Sequence, residues 1–121
     1  MVHAQKKGKR GEVEFCQWLN DHLAISTERV YNQADGYSSD IVIGDFVFEI
    51  KRREILDLPG WWQQVMVSHK KKYKNKIPVV AFRQNRKPWE FLITAKLIGI
   101  EKGYVRLTER VFIEYAKRIL G

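Results

Sequence analysis

The feature that most constrains the fold is a pair of short apolar segments separated by a two-residue turn. The first covers residues 40–43, the second covers residues 46–51, and Gly44-Asp45 lies between them. A two-residue turn that contains glycine is typical of an antiparallel hairpin. Segments that are apolar at nearly every position are typical of strands in a sheet covered on both faces. We therefore expect a β-hairpin in the interior of an α/β protein.

A helical pattern precedes this hairpin. Cys16, Leu19 and Leu23 recur at helical spacing, which predicts a helix over about residues 10–23. Glu12 lies four residues before Cys16 on the same stripe. We therefore expect the Glu12 side chain to point inward, toward the sheet.

Two further helices are indicated by the residues at which they would begin. Asp57 and Pro59 are typical of a helix start, and the helix that follows would end in a run of lysines, which suit a helix C-terminus. Thr108 would cap a final amphipathic helix that ends at Leu120.

The remaining apolar segments predict further strands. They cover residues 29–32, 77–82, 89–94 and 103–107, and a polar loop is expected over residues 33–39. A chain of 121 residues suits one domain. The order of these elements predicts an α/β sandwich built around a mixed sheet.

The charge distribution favours a polyanionic partner. The net charge is +8, and residues 66–90 carry eight Lys or Arg against Glu90 alone. Residues 12–65 instead carry ten acidic residues against four basic ones. An acidic centre flanked by basic segments suits a site that gathers cations while its surroundings hold phosphates.

The cysteine and hydropathy patterns indicate the compartment. Cys16 is the single cysteine, so it forms no internal disulfide, and we expect it to pack as a small apolar residue in a reducing environment. No window approaches the roughly 18 apolar residues of a membrane span. We expect a cytoplasmic protein of a bacterial, archaeal or phage-infected cell with no membrane partner.

The strand over residues 46–51 carries the candidate chemistry. Alternation places Val47, Glu49 and Lys51 on one face, where a carboxylate and an ammonium project side by side. Asp40 begins the neighbouring strand. Two carboxylates on adjacent strands can bind a hard cation such as Mg²⁺ or Mn²⁺, and Lys51 could stabilise negative charge on a phosphodiester.

Two alternatives remain open for these acidic residues. A Glu-x-Lys pair on a strand is commonly an ordinary ion pair, although Asp40 at the start of a strand and the basic charge favour a site. Glu12 would add a further metal ligand from the first helix. Glu14 competes with it, but the two lie about 200° apart around the helix and cannot both face the sheet.

Together these residues resemble a known nuclease superfamily. Asp40, followed nine residues later by Glu49-Ile50-Lys51, resembles the core of PD-(D/E)xK nucleases. Two further segments are similar, more narrowly, to archaeal-type and phage Holliday junction resolvases. They are Lys7-Gly8-x-x-x-Glu12 and Ser38-Ser39-Asp40. The resemblance covers most of residues 6–85.

This resemblance implies a restriction-endonuclease-like mixed β-sheet flanked by helices. It also implies a homodimer that cleaves branched double-stranded DNA in recombination or repair. The implied catalytic set is Glu12, Asp40, Glu49 and Lys51, with Mg²⁺ or Mn²⁺ held by the three carboxylates. A general DNA-processing or repair endonuclease of the same fold, and a DNA-binding module without catalysis, remain alternative interpretations.

The candidate DNA contacts are basic or polar residues close to these motifs. Lysines on any surface also serve solubility, and loop serines also form turns. Gln63 or Gln64 resembles a glutamine found in the corresponding helix of related nucleases. The candidate contacts are Lys6, Lys7, Lys9, Arg10, Ser38, Ser39, Arg52, Arg53, Gln63, Lys70, Lys71 and Lys72.

Trp61 and Trp62 are consecutive helical residues and point about 100° apart. We expect that they do not both face one core, so that one of them lies at a dimer interface or on DNA, although packing in the core is the favoured role for each.

Overall fold

The computed structural model describes residues 2–25 and 40–120, with side chains for residues 11–25 and 41–120. It contains a first helix, a hairpin, a crossover helix, three more strands and a final helix. The elements are α1 (Val2–Leu23), β1 (Asp40–Ile43), β2 (Phe46–Arg52), α2 (Leu58–Lys72), β3 (Ile77–Arg83), β4 (Glu90–Thr94), a 3₁₀ helix (Ala95–Ile98), β5 (Tyr104–Thr108) and α3 (Glu109–Leu120).

The described strands form one mixed sheet in the order β1-β2-β3-β4-β5. β2 and β3 are parallel and are connected through α2, whereas the other neighbouring pairs are antiparallel. A parallel pair needs a crossover connection, which is the role of α2. The predicted mixed α/β sheet is confirmed.

One face of the sheet packs against α1 and α3. Its core is largely aromatic, and the rings of Phe91 and Phe112 stack with centroids 3.9 Å apart. Phe15 of α1 packs against Phe48 of β2. Cys16 belongs to the same cluster with 2% exposure, and burial, together with the charge of Glu12, raises its pKa to about 11. The prediction that Cys16 packs as an apolar residue is confirmed.

The opposite face packs against α2. Trp61 contacts Phe82 of β3 and Trp62 contacts Tyr104 of β5, and both tryptophans are buried in one cluster. The expectation that they do not both face one core is therefore wrong. Indole side chains are long enough to reach the sheet from two sides of the helix, so neither is left for a dimer interface or for DNA.

The turn and both predicted caps form as expected. Ile43 pairs with Phe46 across the two-residue turn, in which Gly44 has φ +55°. The Asp57 carboxylate accepts a hydrogen bond from the backbone N–H of Gly60 at 3.2 Å. The Thr108 hydroxyl accepts one from the N–H of Val111 at 3.3 Å.

The first helix differs from its prediction. It begins at Val2 rather than near residue 10, so Lys6, Lys7, Lys9 and Arg10 lie within α1 and do not precede it. The first residues of α1 include alanine, glutamine and lysine, which are good helix formers. They extend the helix toward the N-terminus despite Gly8. The strand expected over residues 29–32 and the loop expected over 33–39, with Ser38 and Ser39, lie outside the described residues. In the part of the chain that the structure describes, no helix combines the length and apolar character needed to cross a bilayer.

Candidate active site

The register of the hairpin brings two candidate residues together. Asp40 of β1 is the direct partner of Glu49 of β2. Residues directly opposite each other on antiparallel strands share a face of the sheet, with Cβ atoms about 4.5–5.5 Å apart. The two positions therefore lie side by side on the α2 face.

Glu49 is deeply buried, and its exposed fraction is 3%. Among the residues described, it is the one charged side chain in the buried class. Lys51 lies on the same face of β2, and its Nζ is 3.5 Å from Oε1 of Glu49. Taking a carboxylate out of water costs several kcal/mol unless other groups compensate its charge. The fold therefore holds a nearly dry carboxylate in the middle of β2, next to a cation that lies closer to the end of the strand.

Glu12 approaches this region from the other side of the sheet. Its neighbour Gly11 packs so closely on β2 that an added β-carbon would lie 2.8 Å from Cβ of Arg52. Glu12 is partly buried, and its charge contributes to the raised pKa of Cys16, as expected for two residues on one stripe. Because α1 covers the face opposite Glu49, Glu12 can join the other carboxylates only around the end of the strand.

Glu14 has a different environment. Its Oε2 lies 3.0 Å from Nε of Arg52 and 3.4 Å from a terminal nitrogen of Arg83. A carboxylate shared between two guanidinium groups is an acceptor in a structural network. Glu12 is therefore the better candidate for a metal ligand on α1.

The described side chains do not by themselves form a metal centre. No three His, Cys, Asp or Glu side chains among them are grouped closely enough to hold an ion. The side chain of Asp40 lies outside that set, so the predicted group of Glu12, Asp40 and Glu49 stays a prediction. The chemistry of the three donors suits a hard divalent cation.

The two arginines after Lys51 differ in their surroundings. The Arg52 side chain is 12% exposed, and its guanidinium contacts Glu14, Glu54 and Asn85. Arg53 is exposed and donates a hydrogen bond to the carbonyl of Arg52. Arg53 is therefore available to a phosphate, whereas Arg52 is already neutralised by two carboxylates.

The remaining candidate DNA contacts lie along α2. Gln63 and Gln64 are exposed near its start, and Lys70, Lys71 and Lys72 are exposed at its end. A helix rises about 1.5 Å per residue, so α2 spans roughly 21 Å from Leu58 to Lys72. The three lysines therefore lie at the opposite end of α2 from Leu58.

One ion pair on the α2 face was not anticipated. Arg106 of β5 binds both carboxylate oxygens of Glu90, at 2.7 and 2.8 Å, and its guanidinium lies over the Phe82 ring with 5.4 Å to the centroid. These hydrogen bonds lower the pKa of Glu90. Glu90 and Arg106 meet because of the register of β4 and β5. The sequence alone gives no local signal for this contact.

Comparisons with known proteins bear on the family and the fold. Residues 3–118 match the model of a family described as "Phage putative PDDEXK endonuclease". Neither an individual curated protein nor a solved structure gave a significant match. The five-stranded mixed sheet with its flanking helices is consistent with the restriction-endonuclease-like fold that the resemblance implied. Since the match covers nearly the whole chain, the protein belongs to this family of phage PDDEXK endonucleases.

Proposed function

We propose that this nuclease is a metal-dependent endodeoxyribonuclease that hydrolyses phosphodiester bonds at four-way DNA junctions. Its catalytic residues would be Glu12, Asp40, Glu49 and Lys51. The observation that carries the proposal is the pairing of Asp40 with Glu49 in the hairpin, with the Lys51 ammonium 3.5 Å from the Glu49 carboxylate.

The proposed cofactor is Mg²⁺ or Mn²⁺. Glu49 offers carboxylate oxygens in a nearly dry environment, and the register puts Asp40 next to it. Hard oxygen donors of this kind match both ions, and neither thiolate nor imidazole is needed. When bound, such an ion polarises a phosphodiester and lowers the pKa of a coordinated water.

The protein side chains would then have separate roles. Glu49 and Asp40 would hold the ion from adjacent strands, and Glu12 would add an oxygen from α1, directly or through water. The Lys51 ammonium, held on the same face as Glu49, stabilises the negative charge that develops on the phosphate or positions the attacking water. Burial strengthens these interactions, because the local dielectric constant is lower than that of water.

The proposed DNA surface extends away from this site in two directions. Arg53 lies immediately beyond it, and the exposed Lys70, Lys71 and Lys72 would contact a separate stretch of the phosphate backbone. Gln63 lies on α2, between Arg53 and these lysines in the sequence. Further proposed contacts are Lys6, Lys7, Lys9, Arg10, Ser38 and Ser39. Arg52 is not among them, because its guanidinium is bound by Glu14 and Glu54.

The junction preference and the dimer are supported by the Lys7-Gly8-x-x-x-Glu12 pattern together with Glu49-Ile50-Lys51, which resembles resolvases. A two-fold symmetric dimer would present two sites to the pseudo-symmetric arms of a four-way junction. Such a dimer would recognise backbone shape and not base sequence.

A comparison of substrates tests the proposal. Purified protein with Mg²⁺ is incubated with four-way junction, flap, single-stranded and linear duplex DNA of shared sequence, and the products are sized. Symmetric nicking of the junction above all other substrates, abolished in Glu49→Gln, is the expected result. Equal cleavage of junction and duplex favours a general DNA-processing endonuclease. DNA binding without metal-dependent cleavage of any substrate favours a DNA-binding module.

A further inference from the structure

α1 is fixed to the end of β2 at two points, and both involve Arg52. Gly11 packs against the Arg52 side chain, leaving no room for a β-carbon, and Glu14 binds the Arg52 guanidinium at 3.0 Å. The two residues are three positions apart and so share a face of the helix. Glu12 lies between them in sequence. Its backbone position relative to β2 is therefore set by both contacts.

Glu14 also joins two strands. Arg52 of β2 and Arg83 of β3 are direct partners in the parallel register, and like charges opposite each other repel. The Glu14 carboxylate lies between them, at 3.0 Å from one guanidinium and 3.4 Å from the other. It thus reduces the repulsion between the two cations and holds α1 to both strands where they end.

This fastening lies next to the proposed catalytic residues. Arg52 directly follows Lys51 and is three residues beyond Glu49 in the same strand. Catalytic groups need to be held within roughly 0.5 Å of their working geometry by supporting contacts. A shift of α1 along β2 would therefore separate Glu12 from the residues on the hairpin.

We propose that Glu14 is a positioning residue, which together with Gly11 holds α1 against the end of β2 and so keeps Glu12 where it could reach the site of Glu49 and Lys51 around the end of that strand. This inference rests on the proposed nuclease function, because it assigns Glu14 an effect on a site in which Glu12 takes part. Glu14 itself touches neither metal nor DNA in this arrangement.

The test compares Glu14→Gln and Gly11→Ala with the wild type. Each is assayed for Mn²⁺ affinity by calorimetry and for kcat and KM on DNA. Loss of supporting contacts of this kind lowers metal affinity or activity by about 10–100-fold. We expect at least a tenfold fall in kcat and weaker Mn²⁺ binding, with KM for DNA unchanged. Gly11→Ala keeps every charge and gains helix propensity, so it provides the readout should Glu14→Gln not fold.

Two control variants separate positioning from general stability. Asp21→Asn removes an exposed carboxylate from the same helix, and Ile93→Val loosens the core on the same face of the sheet. Both should keep wild-type kcat and Mn²⁺ affinity at temperatures where all variants are folded. If Ile93→Val with a similar fall in Tm loses as much kcat as Glu14→Gln, the effect is one of stability and the positioning role is overturned.

The outcomes also separate this inference from the function on which it rests. An active wild type together with unchanged kcat and Mn²⁺ affinity in Glu14→Gln and Gly11→Ala overturns the positioning role alone. A wild type that neither binds Mn²⁺ nor cleaves DNA overturns the proposed function and this inference together.

Discussion

Lys51 Nζ lies 3.5 Å from Oε1 of Glu49, and both side chains are largely buried on one face of β2. The ammonium partly compensates the charge of a carboxylate that is only 3% exposed to water. This relationship links the stability of the protein to its proposed chemistry. A divalent cation bound at Glu49 would compensate the same carboxylate charge that Lys51 compensates in its absence.

Lys51→Met should therefore destabilise the protein in metal-free buffer. Weakening the compensation of a buried charge costs about 2 kcal/mol. We expect the free energy of unfolding, measured by urea denaturation, to fall by about that amount and to recover in part with Mn²⁺. Glu49→Gln in the same chain removes the less compensated charge, so the double variant should be more stable than Lys51→Met alone. Equal stability of wild type and Lys51→Met would show that the two groups are not coupled.

Gly44→Ala should destabilise the hairpin that carries the candidate site. Gly44 has φ +55°, a conformation that costs other residues roughly 1–2 kcal/mol. An added β-carbon would also lie 2.7 Å from Cδ2 of Leu120. Chemical denaturation should show a loss of about 2 kcal/mol, including the steric contact.

Two variants divide this loss into its parts. Leu120→Ala in the Gly44→Ala background should relieve the steric part and leave the backbone strain. Gly99→Ala is the control without a steric contact, because Gly99 is also left-handed, with φ +83°, and an added β-carbon there meets no atom within 4 Å. If Gly44→Ala costs no more than Gly99→Ala, the packing against Leu120 contributes nothing.

The Glu90–Arg106 pair should stabilise the sheet only above acidic pH. Hydrogen bonds from Arg106 lower the pKa of Glu90 from its ordinary value of 4.5. A carboxyl group with a lowered pKa contributes stability above its unfolded-state pKa and loses it as the pH falls through the folded-state pKa. Glu90→Gln should therefore cost roughly 0.5–1 kcal/mol at pH 7 and progressively less below about pH 4.5. Thermal melts of both proteins across pH check this, and a difference that persists in strong acid contradicts it.

Replacing Lys70, Lys71 and Lys72 by alanine should weaken DNA binding without slowing cleavage at saturation. Each phosphate contact contributes a slope of about −0.9 to the dependence of log K on log salt for duplex DNA. The triple variant should therefore show a shallower salt dependence and a raised KM, with kcat unchanged. Fluorescence anisotropy over a salt series, together with cleavage kinetics, provides the measurement.

The matched control removes equal charge elsewhere. It replaces three exposed basic residues of the 3₁₀ helix and α3, namely Lys96, Lys117 and Arg118. Its salt slope should equal that of the wild type. An equal loss of affinity in both triple variants would mean that overall charge, and not the surface at the end of α2, attracts the DNA.

Cys16 should be unreactive while the protein is folded. It is 2% exposed, and burial raises its pKa to about 11, so the thiolate that reacts with alkylating agents is scarce near neutral pH. Incubation with iodoacetamide at pH 8 should leave the thiol unmodified in native buffer and modify it fully in guanidinium chloride. Rapid labelling of the native protein would contradict the packing of α1 against the sheet.

Local sequence signals predicted a large part of this fold. Gly44-Asp45 defined the hairpin and hence the register of Asp40 with Glu49, and Asp57 and Thr108 marked the starts of α2 and α3 correctly. These features depend on residues that are close in sequence, so their patterns are visible without the fold.

Features that depend on distant residues were not visible. Glu14 meets Arg52 and Arg83 across 38 and 69 positions, which no local pattern encodes. The sequence therefore predicts Arg52 as a DNA contact, whereas in the structure the packing of α1 buries much of its side chain. Helical geometry predicts that Trp61 and Trp62 point to different surroundings, but it describes only the directions of their Cβ atoms. The indole rings are long enough that both reach the same core.

The parallel pairing of β2 with β3 also affects how the nuclease is made. The hairpin of β1 and β2 is a local structure, but β2 gains its second neighbour only after α2 has crossed over and residues 77–83 have been added. Such non-local pairings form late, because a long loop must close first. During synthesis on the ribosome, the strand that carries Glu49 and Lys51 therefore stays incompletely paired until about two thirds of the chain has emerged.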